Sequence, residues 1–245
     1  KSLLSDARNE GYHALLAMPN AMSTSVFIRA GYTRIGELRR WVKVINFKDK
    51  LAKVIKNRSA LKLFSKVFNF FSELFSLEMV WRVFYFFTKG CFIAKEMELK
   101  EINFDEYLKK AGALIKPPEY IEWRYYGMDN NDSRAFALTR NGLVVGLILY
   151  YAREQDLILQ DIVLPKSPWK AKIMLAAFIY RARRAKMNSI SVLFLGKGAM
   201  VGILKSFGFL RREGRSLCLY AFDQRFKNNF ADKYKLDLFE GDLDL

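Results

Sequence analysis

A seventeen-residue pattern occurs twice in this chain, and that repetition limits the folds open to it more than any other feature. The first copy reads Leu16-Ala17-Met18-Pro19-Asn20-Ala21-Met22-Ser23-Thr24-Ser25-Val26-Phe27-Ile28-Arg29-Ala30-Gly31-Tyr32. The second reads Leu193-Phe194-Leu195-Gly196-Lys197-Gly198-Ala199-Met200-Val201-Gly202-Ile203-Leu204-Lys205-Ser206-Phe207-Gly208-Phe209. Gly31 and Gly208 are 177 residues apart (208 − 31), and the same offset pairs Leu16 with Leu193, Tyr32 with Phe209, and Arg34 with Arg211. Both copies predict a buried strand, a turn, a short helix, a Gly-aromatic stop and a second strand. Glycine lets a chain leave a helix in the left-handed conformation, and the aromatic after it packs back on the helix. Repetition at this distance predicts two units of one kind rather than a solenoid.

At 245 residues with 51% hydrophobic composition, the chain can bury a real core, which excludes a disordered tail. Its net charge of +16 calls for an anionic partner: nucleic acid, an acidic membrane surface or a phosphate-bearing cofactor. The basic residues accompany an amphipathic face and no nucleic-acid motif, so nucleic acid is the least favoured of the three. Cys91 and Cys218 have no metal-type spacing and read as ordinary thiols of a reducing cytoplasm, with no metal expected. His13, the only histidine, has no Ser, Cys or Asp arranged for nucleophilic work and reads as structural. The chain opens at Lys1 without Met, signal peptide or spanning apolar run, and reads as a fragment.

In chain order, residues 1–10 read as the last turns of a helix ending at Gly11, 12–18 as a strand, 21–30 as a short helix and 33–45 as a long strand. From Phe47 the pattern changes. Leu51, Val54, Ile55, Leu61, Phe64, Phe68, Phe71 and Phe75 share one helical face, while Lys50, Lys53, Lys56, Lys62 and Lys66 decorate the rest. The helical reading continues over 79–94 through Trp81, Phe84, Tyr85, Phe86, Phe87 and Phe92. Two roles suit it: a connector whose aromatics pack between the units, or an in-plane membrane helix whose lysines meet anionic lipid. Further on, Pro117-Pro118 breaks the chain. Asn141-Gly142 predicts a hairpin between strands 135–139 and 143–152. A strand over 157–164, a helix over 169–186 and a strand over 190–195 lead back to the repeat.

The order strand, strand, strand, helix, strand, helix, strand, closed by Gly-aromatic, resembles the GNAT N-acetyltransferase superfamily over most of residues 96–222 and, as a half-domain, over 1–45. It is similar in particular to tandem GNAT proteins associated with bacterial surface-polysaccharide assembly. The residues that carry this are Pro19-Asn20-Ala21-Met22-Ser23, the Tyr120-Ile121-Glu122-Trp123-Arg124-Tyr125 segment, and the acidic Gly241-Asp242-Leu243-Asp244. The resemblance implies an α/β fold with a mixed sheet flanked by helices, in two units of which the first is incomplete. The divisions are 1–45, a basic helical connector 46–95, a second unit 96–222 and a tail 223–245.

That family uses acetyl-CoA as co-substrate, bound where one strand splays from its neighbour and a glycine-rich loop presents backbone N–H groups to the pyrophosphate. The second unit has Pro165-Lys166-Ser167-Pro168-Trp169-Lys170-Ala171-Lys172 there, with no glycine, so weak binding is expected. Val163 would border the cofactor, and Lys170 and Lys172 would attract phosphate as point charges. In the first unit Asn20 matches the family's pantetheine contact, with Ser23 beside it. Phe27 and Leu204 stand where the family often has a tyrosine acid. Asp161 is the candidate base, and Trp123 with Arg124 the candidate acceptor contacts. The resemblance thus implies acyl transfer from an acyl-CoA to a primary amine, of an amino sugar or surface-glycan precursor. This would take place in the cytoplasm or peripherally on the inner face of the membrane. The alternative is a non-catalytic binding or scaffold module at the membrane.

Overall fold

A computed structural model describes residues 2–74, 76–102, 125, 133–165, 167–195, 199–223 and 238–239. The two sequence copies fold alike. In the first, β1 (Ala14–Ala17) leads to α2 (Thr24–Arg29) and β2 (Thr33–Val44), after a helix α1 (Ser2–Asn9) that ends at Gly11. In the second, β7 (Ser189–Leu195) leads to α7 (Ala199–Ser206) and β8 (Leu210–Ala221). The offset of 177 carries both ends of β2 onto both ends of β8.

The helix stops agree bond for bond. Gly31 donates its N–H to Ile28 O at 3.0 Å and Tyr32 to Phe27 O at 3.1 Å, while Gly208 donates to Lys205 O at 2.9 Å and Phe209 to Leu204 O at 3.0 Å. Both glycines have positive φ, +95° and +76°. This is the double-bonded left-handed helix end that the Gly-aromatic pair predicts.

The chain forms two compact units that interleave in sequence. The first comprises residues 1–40, 194–197 and 211–238; the second comprises 41–193, 198–210 and 239–245. In the first unit the strand order is β1-β8-β2, with β1 antiparallel to β8 from Ala14 opposite Ala221 to Ala17 opposite Cys218. The copies therefore exchange strands: β1 of one copy pairs β8 of the other.

In the second unit the order runs β7-β6-β5-β4-β3, with β3 (Ile93–Met97), β4 (Arg134–Arg140), β5 (Leu143–Arg153) and β6 (Asp156–Val163) antiparallel in turn. Strands β6 and β7 are parallel, and β9 (Leu238–Phe239) also pairs β7. Asn141 and Gly142 join β4 to β5 with φ of +51° and +79°, the turn their residue types favour. The expected succession from β4 to β8 is present, with the helix α6 (Pro168–Arg184) between β6 and β7. The protein is a mixed α/β fold with a sheet flanked by helices.

The core of the second unit lies between that sheet and α6. Pro168 at the first helical turn fits an orphan N–H position, and the chain enters extended at Ser167. Ile173, Met174, Phe178 and Ile179 of α6 are buried with Leu138, Ile148 and Leu159. Phe178 meets Phe136 and Tyr150 edge-on at 5.3 and 5.0 Å. Burying a side chain of this size contributes about 2–3 kcal/mol.

Between the copies the single long helix expected from residue 47 onward is broken. Helix α3 (Lys48–Ala52) stops, and α4 (Arg58–Leu74) starts anew. Asn57 Oδ1 accepts the N–H groups of Ser59 and Ala60 at 2.9 and 3.2 Å, which is an N-cap the apolar periodicity concealed. Helix α5 (Glu78–Thr88) follows, and residues 93–94, expected to be helical, begin the strand β3.

Helices α5 and α6 are joined by buried charge. Lys43 and Glu78 are 1% and 0% exposed and 3.1 Å apart. Arg183 grips both Glu78 oxygens at 2.8 and 3.2 Å and donates to Ile45 O at 3.0 Å. Lys43 also donates to Phe207 O at 2.7 Å, so the charge cluster pins the turn that ends α7.

Candidate functional site

In the first unit a cleft of about 420 Å³ is lined by Met18, Pro19, Asn20, Ser23, Phe27 and Arg215. Its volume lies in the range of small-molecule sites, about 300–1,000 Å³. The sequence explains how it forms. Strand β1 stops at Ala17, Pro19 turns the chain, and Asn20 Oδ1 accepts the N–H and hydroxyl of Ser23, each at 2.8 Å. Thr24 donates its hydroxyl to Asn20 O at 2.8 Å. Asn20 Oδ1 is therefore committed to holding the turn, and the bonds described leave the amide NH2 as its remaining donor. Phe27 forms the apolar wall, held by an edge contact with Tyr32 at 5.0 Å. Burial, with Tyr220 and Cys218 nearby, pushes the Tyr32 phenol above its ordinary value, so it stays protonated.

Arg215 is the residue that sequence reasoning missed. It lies 195 positions after Asn20 (215 − 20). The antiparallel register of β1 and β8, continued three residues beyond Ala17 and Cys218, brings it opposite Asn20. An exposed guanidinium in this cleft presents fixed donors for phosphate or carboxylate oxygens. Two candidates named from the sequence, Asn20 and Ser23, thus share one cleft with Phe27 and a cation. The equivalent positions of the second copy are Lys197, Met200 and Leu204, and the last two are buried apolar residues.

The remaining described candidates belong to the second unit. Strand β6 pairs β7 from Asp156 opposite Ser189 to Leu159 opposite Val192, and that ladder stops there although both strands continue. Asp161 and Val163 lie beyond that ladder on β6, opposite Leu149 and Leu147 of β5. Asp161 is 2% exposed and faces Leu149 across the other ladder, beside a bulge.

The loop after β6 is anchored by packing. A Cβ on Gly146 would sit 2.7 Å from Pro165 Cγ and 2.8 Å from Met174 Sδ, so glycine is what lets Pro165 press onto β5. Lys170 Nζ lies over the Phe92 and Trp169 rings at 5.4 and 5.6 Å, and Lys172 Nζ over Trp81 at 5.0 Å. Each ammonium group thus has an aromatic face as a neighbour.

Trp123 and Arg124 lie outside the described residues, as does the acidic Gly241–Asp244 end. Of the 120–125 motif only Tyr125 is described, buried with Ile102, Ala135, Ala137, Leu147 and Leu149. Among the described residues no cluster of three or more His, Cys, Asp or Glu is arranged to hold a metal ion. No helix among them is long and apolar enough to cross a membrane.

No protein-family profile matches the sequence, and no curated protein matches it. Solved structures do. A conserved protein of unknown function from Enterococcus faecalis, described as a probable N-acyltransferase, superposes with a TM-score of 0.54 at 11% identity, over 90% of this chain and 48% of that one. A GCN5-related N-acetyltransferase from Anabaena variabilis gives 0.52 at 13% identity, over 91% and 49%. A functionally unknown conserved protein from Staphylococcus epidermidis gives 0.50 at 12%, over 89% and 79%. This chain thus spans about half the length of the first two. At such identities the likeness carries the fold alone, and that fold is the one found in GCN5-related N-acetyltransferases.

Proposed function

We propose that the protein is an acyl-CoA-dependent N-acyltransferase, most simply an N-acetyltransferase, with its acyl-CoA seated in the first unit's cleft. The observation that carries this reading is the joint lining of that cleft by Asn20, Ser23 and Arg215 at the end of β1. In the reaction an amine nitrogen attacks the thioester carbonyl; the C–N bond forms, the C–S bond breaks, and sulfur leaves as thiolate. The attacking ammonium must first lose a proton. Phe27 and Leu204 have no proton to give, but a thiol with an ordinary pKa of about 8.5 takes one from water near neutral pH. Catalysis then rests on holding the two reactants together.

In the cleft, solvent takes the ammonium's proton; were acyl transfer to run in the second copy instead, Asp161 would be its base, with Val163, Lys170 and Lys172 bordering the cofactor and Trp123 and Arg124 meeting the acceptor. The acceptor class we favour is a primary amine of an amino sugar or surface-glycan precursor, which rests on the resemblance to tandem GNAT proteins and on no residue of the site. Thiol release from acetyl-CoA with a panel of amino sugars and simple primary amines, followed by mass spectrometry of the product, tests the activity. Acetylated product is expected, and Asp161→Asn should leave turnover unchanged. Lowered turnover in that variant, with cofactor binding kept, would move the chemistry to the second copy. No product with any amine, despite acetyl-CoA binding, favours the second reading, a non-catalytic module. Phe27, Leu204 and the stacked lysines speak for that reading.

A further inference from the structure

Helices α4 and α5 face the wrong way for helices on a core. Such a helix buries its apolar stripe and exposes its polar one. Helix α4 instead buries Ser65 and turns Asn69 inward, where its Oδ1 accepts the Phe47 N–H at 3.0 Å. Leu63, Phe64, Val67, Phe70 and Leu74 are exposed. Helix α5 repeats the inversion: it buries Glu78 and Tyr85 and exposes Val80, Val83, Phe84 and Phe87, the last at 85%. No charged side chain interrupts either outward set. An apolar face of this extent on two consecutive helices marks a surface that something covers.

We infer that the cover is the headgroup region of an anionic lipid bilayer, on which α4 and α5 lie in plane. The charges choose between a bilayer and a second copy. Residues 48–66 hold seven basic side chains, including Lys53, Lys56, Arg58, Lys62 and Lys66, against one acidic residue, Asp49. A second copy would bring the same positive charges to the same interface and repel, whereas anionic headgroups complement them. Lys62 and Lys66, four residues apart, share one flank of α4 between its buried and apolar faces. From there their stems lie along the apolar surface while the ammonium groups reach the headgroups. Neither helix can cross the bilayer, so the mode is peripheral.

The test is co-sedimentation of the full chain with phosphatidylcholine vesicles and with vesicles containing about a third phosphatidylserine, with static light scattering of the protein alone. Each lysine near the surface contributes about fivefold in partitioning. Lys53→Glu, Lys56→Glu, Lys62→Glu and Lys66→Glu combined should therefore lower binding to the anionic vesicles at least about 100-fold. Phe70→Ser, Phe84→Ser and Phe87→Ser should weaken it separately, with unchanged circular dichroism. Equal binding to both vesicle types, or binding to neither, overturns the inference. A dimer that the Phe87→Ser variant abolishes would also overturn it and assign the face to a second copy.

Discussion

Glu78 has no exposed surface, yet it meets two cations. Burial alone would push its carboxyl up; the Arg183 hydrogen bonds and the Lys43 charge outweigh that and hold it below the ordinary value of 4.5. Burial, aided by Arg183, pushes the Lys43 ammonium below its ordinary value, and Glu78 partly restores it. A carboxylate with a depressed folded pKa contributes stability above its unfolded pKa and loses it as pH falls through the folded value. Denaturant melts of the wild type should accordingly weaken below about pH 4.5, and Glu78→Gln should flatten that slope. At neutral pH Glu78→Gln should cost about 3–5 kcal/mol, because it leaves the buried Lys43 without its close anion and Arg183 with Glu73 alone, at 3.3 Å. Lys43→Met should cost less, since Arg183 still pairs with Glu78; the reverse order would contradict the charge assignment. The helix stops make a second residue-level test. Gly31→Ala and Gly208→Ala each force a left-handed alanine, about 1 kcal/mol. At Gly31 the added carbon also comes 3.1 Å from the Tyr220 ring, whereas at Gly208 the nearest atoms are 3.6 Å away. Chemical denaturation should find Gly31→Ala the more damaging, and equal costs would mean the rings yield freely.

At the scale of elements, periodicity told which residues share a face but not which way that face points. Of the stripe read from the sequence, Phe64, Phe68 and Phe71 are exposed and Leu61 is half-buried, and the outward face also takes in Leu63, Val67, Phe70 and Leu74. Its exposure depends on what α4 and α5 pack against, and there a single buried Glu78 with Arg183 decides the orientation of α5. The helix break was legible only in hindsight, through Asn57 as a cap. Strand β3 was hidden because Ile93-Ala94-Lys95-Glu96-Met97 lacks strict alternation and, among the described residues, pairs with β4 alone. Polar replacement on the outward faces should then be nearly silent for stability: Phe84→Ser and Phe87→Ser should change unfolding free energy by no more than about 0.5 kcal/mol. Tyr85→Ser, one residue away and buried, should lose several times that. A large loss at Phe87 would show that the face is already covered by protein.

For the molecule as a whole, the gapless repeat made the two-copy architecture readable, because a Gly-aromatic stop needs only local sequence. Strand exchange was not readable, since pairing β1 with β8 rather than with a strand of its own copy leaves no mark on either segment. Arg215 was missed for that reason: it enters the cleft through the exchanged strand, 195 positions from Asn20 (215 − 20). The central claim is that this cleft, and not the glycine-free loop before α6, takes the acyl-CoA. Calorimetric titration of acetyl-CoA into the full chain and into Asn20→Ala, Arg215→Ala and Lys170→Ala measures it directly. Saturable binding is expected, weakened about tenfold or more by each of Asn20→Ala and Arg215→Ala, the latter with reduced salt dependence, and unchanged by Lys170→Ala. Binding lost in Lys170→Ala but kept in Arg215→Ala, or no binding at all, would contradict it.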